Sequence, residues 1–104
     1  MSSTETEAAE AVASIDLDPV LDIRAAAPLH RELMERRGAP LRLDGRNVER
    51  IGGQCAAILL SAARSWAGDG VPLVLDEPSE GLCEGLRTLG LDASSIAGAE
   101  TELA

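Results

Sequence analysis

Few side chains in this 104-residue sequence could move a proton or form a bond to a substrate: one histidine, His30, two cysteines, Cys55 and Cys83, and a scatter of carboxylates. A catalytic histidine needs an orienting carboxylate and a nucleophile within hydrogen-bond reach. Asp22, Glu32 and Glu35 lie near His30 in sequence, but nothing supplies the nucleophile. A zinc site needs three or four Cys, His or carboxylate ligands, and Cys55 and Cys83 lack paired spacing. Both cysteines fall on apolar helical stripes and read as small buried fillers with reduced thiols. Asp76-Glu77 follows a strand and reads as a solvated turn. All nine basic residues are arginine. The absence of lysine excludes a Schiff base, a P-loop lysine and a lysine general base. The residues thus predict no catalytic group, no metal and no cofactor.

The stretch with the most to offer a ligand is residues 50–54, Arg-Ile-Gly-Gly-Gln. Gly52-Gly53 is not a dinucleotide fingerprint, because the third glycine and the ribose-binding acid are missing. It does open a helix, and a helix start presents free N–H groups and a positive dipole end. An anion or nucleotide sensor is one reading of that geometry. A protein-docking surface is the other. The outward stripe of the following helix is Gln54, Ala57, Ser61, Arg64 and Ser65, small and weakly charged, which suits a partner lying against it. The candidate partner-binding set is therefore Arg50, Gly52, Gly53, Gln54, Ala57, Ser61 and Arg64.

Strand and helix periods frame this set. Leu41 and Leu43 alternate with Arg42 and Asp44, the period of a half-buried strand over 40–44. Cys55, Ile58, Leu59, Ala62, Ala63 and Trp66 recur at three- and four-residue steps and predict a helix over 53–67 with Trp66 on its core side. Upstream, Ala13–Leu17 predicts a strand and Asp18-Pro19 a turn. Val20-Leu21 reads as a second short strand or a loop anchor. Asp22 is a candidate N-cap. Pro28 belongs in a first turn, so a helix is expected from about Ala26 to Arg37, with Leu29, Leu33 and Met34 inward and Gly38 as its stop. Val71–Asp76 predicts a third strand, parallel to its neighbours across the helices. Ser79 caps a last helix whose stripe is Leu82, Cys83, Leu86 and Leu89. Gly81 and Gly85 cost that helix about 1 kcal/mol each against alanine, so packing must carry it. The order β, (β), α, β, α, β, α predicts an α/β fold: a mixed sheet of four or so strands with helices over one face. Residues 1–12 read as a flexible acidic tail, 13–91 as the domain, and 92–104 as a tail or frayed helix.

Composition narrows the partners. The net charge of −9 opposes nucleic acid and anionic membrane surfaces. One Trp, no Tyr and no Phe leave no stacking platform for bases. The longest apolar run, Ala56–Leu60, is far too short to span a bilayer. No basic-then-apolar leader opens the chain, which predicts a cytoplasmic protein. Homo-oligomers are compatible with all of this.

Leu41-Arg-Leu-Asp-Gly, Val48-Glu-Arg-Ile51, the small-residue loop and Cys55-Ala-Ala-Ile-Leu-Leu-Ser-Ala-Ala-Arg64 together resemble STAS domains, the bacterial anti-sigma-factor-antagonist family. Leu21-Asp22-Ile23, Gly70-Val-Pro-Leu-Val-Leu75, Pro78-Ser79 and Leu89-Gly-Leu91 fit the same pattern, so the resemblance covers about residues 13–91. It implies a non-enzymatic interaction module in bacterial signal transduction. In the family, the loop before the second helix usually reads Asp-Ser/Thr-Ser/Ala-Gly, and a partner kinase phosphorylates a hydroxyl there. Here those positions are Gly52, Gly53, Gln54 and Cys55. No serine or threonine lies between Ser14 and Ser61, so that phosphoswitch has no acceptor. The string Val48–Cys55 with Ala63-Arg-Ser-Trp66 is most similar to stand-alone STAS proteins associated with bacterial chemotaxis kinases. That implies a histidine-kinase or anti-sigma-type kinase partner. The alternative the resemblance leaves open is a cytoplasmic STAS subunit of a lipid-transport ABC system.

Overall fold

Leu41 and Leu43 turn into the middle of the core, and the sheet is built around them. The computed structural model describes residues 13–96. Its elements run β1 Ala13–Asp16, β2 Val20–Leu21, α1 Ile23–Glu35, β3 Leu41–Asp44, β4 Arg50–Ile51, α2 Gly53–Asp69, β5 Leu73–Asp76 and α3 Glu80–Thr88. Residues 93–96 are also helical. Of the expected tail at 92–104, residues 93–96 are this helical turn, with Ile96 buried in the core; the rest of it beyond 96 and the expected tail at 1–12 lie outside the described residues.

The strands form a three-stranded ladder in the order β1-β3-β5 and a two-stranded ladder β2-β4. Every pairing is parallel. Register places Ile15, Leu43 and Leu75 in one row and Ala13, Leu41 and Leu73 in another, both on the core face. The intervening rows carry Ser14, Arg42 and Val74, then Asp16, Asp44 and Asp76. Ser14, Asp16 and Arg42 are exposed on that outer face. The α/β architecture with helices on one covered face is therefore present.

Val20-Leu21 proves to be a strand, and its partner is Arg50-Ile51, which the sequence pattern leaves as loop. A strand of two residues has no period to display. The ladder has a positional role all the same: it ties the entrance of α1 to the entrance of α2.

Helix α1 begins three residues before its expected start. Asp22 is its N-cap, and the carboxylate accepts from the Arg24 N–H at 3.0 Å. That cap starts the helix at Ile23 and leaves Pro28 in the second turn. The missing Pro28 N–H orphans the Arg24 carbonyl. Arg24 is exposed, so water can satisfy that oxygen. Leu29 and Leu33 are buried as expected, but Met34 is 48% exposed. Its position falls one step beyond the core stripe.

Helix α2 ends at Gly70, which takes φ 75° as a left-handed cap. Trp66 is fully buried, and its Nε1–H donates to the Ala39 carbonyl at 2.7 Å. Helix α3 is capped by Ser79, whose Oγ accepts from the Leu82 N–H at 3.0 Å. The same hydroxyl donates to the Val48 carbonyl.

The two glycines of α3 have a reason that only the tertiary structure supplies. A Cβ on Gly81 would collide with the Glu49 carbonyl group, 2.8 Å from its carbon. A Cβ on Gly85 would lie 2.5 Å from Ile51 Cγ2. These residues, four apart, make a flat groove on α3 into which the backbone of residues 49–51 settles. Gly45 repeats the device, since a Cβ there would be 2.8 Å from Leu82 Cδ2. Leu82 and Leu86 are fully buried beside the contact. Close backbone approach thus offsets the helix-propensity cost of glycine.

Candidate protein-docking surface

β4 and α2 meet at the two glycines. Gly52 sits at the N-cap of α2 with φ −99°, and its N–H donates to the Leu21 carbonyl at 2.9 Å. No side chain caps the helix. Neither glycine is there for backbone conformation or space. A Cβ on Gly53 would meet nothing within 4 Å, and one on Gly52 only the Leu21 carbonyl oxygen at 3.7 Å. The consequence is a bare, solvent-facing helix entrance.

Gly52→Asp introduces an N-cap carboxylate at the positive end of α2 in a β-region backbone that accepts it. Stability should rise by a few tenths to about 1 kcal/mol, read from urea denaturation at unchanged m-value. A loss would contradict an open entrance.

Arg50, Gly52, Gly53, Gln54, Ala57, Ser61 and Arg64 are all exposed. Arg50, Gly52, Gly53 and Gln54 cluster at the entrance, while Ala57, Ser61 and Arg64 continue along α2 over about three turns. Ser65, on the same outward stripe, is half-buried.

The residues that sequence reasoning missed come from α1. The starts of the two helices are joined by the Cys55 thiol, which donates to the Asp22 carbonyl at 3.3 Å. Burial pushes that thiol's pKa up, and the charges of Asp22 and Asp18 push it further, so it stays protonated. The ends are joined by the Arg37–Asp69 ion pair at 3.0 Å. The helices therefore run parallel along a common seam. That seam holds a groove of about 190 Å³ lined by His30, Leu33, Met34 and Arg37 from α1 and Ala57, Ile58, Ser61, Ala62, Ser65 and Trp66 from α2. Of the sequence-predicted residues, Ala57 and Ser61 line it. Arg50, the glycines, Gln54 and Arg64 lie outside its lining. The signal that could have found the α1 side is the spacing Ile23, Ala27, His30, Met34, a stripe at helical steps beside the core face. Ile23 is 70% exposed and Met34 48%. Met34 lines the groove, whereas Ile23, at the start of α1, is not among its lining residues.

Among the described residues, no group of three or more His, Cys, Asp or Glu is placed to hold a metal ion. None of the described helices is long and apolar enough to cross a membrane. The arrangement is suited to binding a protein surface.

Comparison with known proteins gives one result. A family model described as "Mlab, STAS domain" matches residues 4–98. No curated protein matches the chain, and no solved structure does. STAS domains are in general non-catalytic protein-interaction and signalling modules, which agrees with a bare helix entrance and an apolar seam. The match takes in every described residue, and the chain belongs to the STAS domain family.

Proposed function

We propose that this chain is a constitutive docking module in bacterial signalling. It binds a protein partner through the 50–54 loop and the outer face of α2, using Arg50, Gly52, Gly53, Gln54, Ala57, Ser61 and Arg64. The observation that carries the reading is the entrance of α2. It is exposed and uncapped, and it is followed by a face of small side chains. A kinase-type signalling protein is the partner class, and control lies with the partner or its abundance. A hydroxyl-dependent release step has no acceptor at residues 50–54.

The same absence favours a second reading. A permanent subunit of a larger assembly, such as a lipid-transport ATPase, needs no release step and would use the same face. The two readings share the surface and differ in the protein held.

The test is affinity capture from the native cell, with the captured protein identified by mass spectrometry. Gln54→Arg and Ser61→Arg place long charged side chains on the face and should each reduce capture at least about tenfold, which is roughly 1.4 kcal/mol. Both positions are exposed, so the fold should be unaffected. Capture of a kinase supports the first reading and capture of a transport ATPase the second. Undiminished capture by both variants would remove the surface.

A further inference from the structure

Charge on this protein is unevenly divided along its sequence. Residues 22–37, which take in the α1 N-cap, and 53–69 carry five arginines, Arg24, Arg31, Arg36, Arg37 and Arg64, against Asp22, Glu32, Glu35 and Asp69, a balance of +1. The rest of the described chain carries four arginines against nine carboxylates, a balance of −5. The apolar seam runs between the two helices that carry this positive balance, in a protein whose net charge is −9. Arg31 and Arg64 have no ion-pair partner among the described residues. Both are exposed. Helical spacing puts Arg31 beyond His30 and Arg64 beyond Ser61, one on each outer shoulder of the groove. Its apolar anchors are Met34 and the half-buried Ile58, over a floor of Leu33, Ala62 and Trp66.

The geometry points to an occupant of defined chemistry: an amphipathic helix of the partner protein, with large apolar residues at three- and four-residue spacing and acidic residues on both flanks. This rests on the docking reading and extends it to the α1 side. Two parallel helices with an open seam accept a third by ridge-into-groove packing. An apolar side chain of the guest enters the groove beside Met34 and Ile58. Its flanking carboxylates reach Arg31 and Arg64, which have no ion-pair partner among the described residues. The outer sheet face of a second copy is a poorer guest, because its carboxylate row Asp16, Asp44 and Asp76 runs beside Ser14, Arg42 and Val74 and offers no apolar ridge.

The probe is a synthetic fluorescent peptide of about four helical turns, with leucines along one face and glutamates on both flanks. Its counterpart has the same leucines and lysine flanks. Anisotropy titrations on the full chain should show the acidic peptide binding at least about tenfold more tightly, with the gap narrowing as salt is raised. Met34→Glu, at an exposed site, should weaken the acidic peptide about tenfold or more. Arg87→Glu on α3 should leave it unchanged. Equal binding of the two peptides, or no binding of either, overturns the inference. So does a self-association, seen by sedimentation, that Met34→Glu abolishes. Partner capture lost in Gln54→Arg but kept in Met34→Glu overturns this inference alone. Capture kept in both overturns the docking reading itself.

Discussion

Gly81→Ala should destabilise the protein by about 3 kcal/mol or more, against the usual gain for alanine in a helix. The new Cβ would be driven into the Glu49 carbonyl group, and a backbone cannot rotate aside as a side chain can. Helix α3 must then lift from β4, opening the contacts of Leu82 and Leu86, both fully buried. A domain of this size has about 5–15 kcal/mol in hand. A loss on that scale should lower Tm by more than about 10 °C. Gly68→Ala is the control. It lies in α2, and its Cβ would meet nothing within 4 Å. It should stabilise by about 0.5–1 kcal/mol. If both variants gained stability, the close approach of α3 to residues 49–51 would be wrong.

Trp66→Ala should cost about 3–5 kcal/mol. The indole is the largest fully buried side chain, and its loss leaves a cavity under α1 and α2. It also removes the Nε1–H donor from the Ala39 carbonyl. That bond fastens the segment before β3 to the end of α2. Trp66→Phe separates the two effects, since it keeps most of the volume and removes the donor. It should cost about 1–3 kcal/mol. Thermal or urea denaturation, followed by circular dichroism, reads both. Trp66 also floors the groove, so Trp66→Phe should weaken the acid-flanked peptide while the protein remains folded. An effect of Trp66→Ala below about 1 kcal/mol would contradict its place in the core.

The legible part of the fold is the part with a period. Alternation at Leu41–Asp44 and the three-four spacing of α2 are local signals, and each places its residues on the correct face. Asp22 and Ser79 are identifiable caps because their chemistry is local too. Three features were not legible. The β2–β4 pair is too short to show alternation. Pro28 points to a late start for α1, but the Asp22 cap decides it, and the exposed Arg24 tolerates the missing donor. The value of Gly81 and Gly85 depends on a strand thirty or more residues away, and sequence spacing carries no trace of it.

The same distinction applies to the docking surface. Gln54, Ala57 and Ser61 form a stripe of one helix, so spacing alone placed them together. The groove needs the relative placement of two helices, held by Cys55 to Asp22 at one end and Arg37 to Asp69 at the other. Both contacts are non-local. Helical spacing groups Met34 with Leu29 and Leu33 on the core side. In the folded chain it stands at the rim, where an exposed thioether is an adaptable contact for a partner.

Hydrogen exchange across the chain, with and without the captured partner, tests the docking surface most directly. Slowed exchange is expected over residues 50–65 and along α1 from Ile23 to Met34, with β5 and α3 unchanged. Protection confined to the outer sheet row of Ser14, Arg42 and Val74, or to α3, with the α2 entrance exchanging as freely as before, would contradict it.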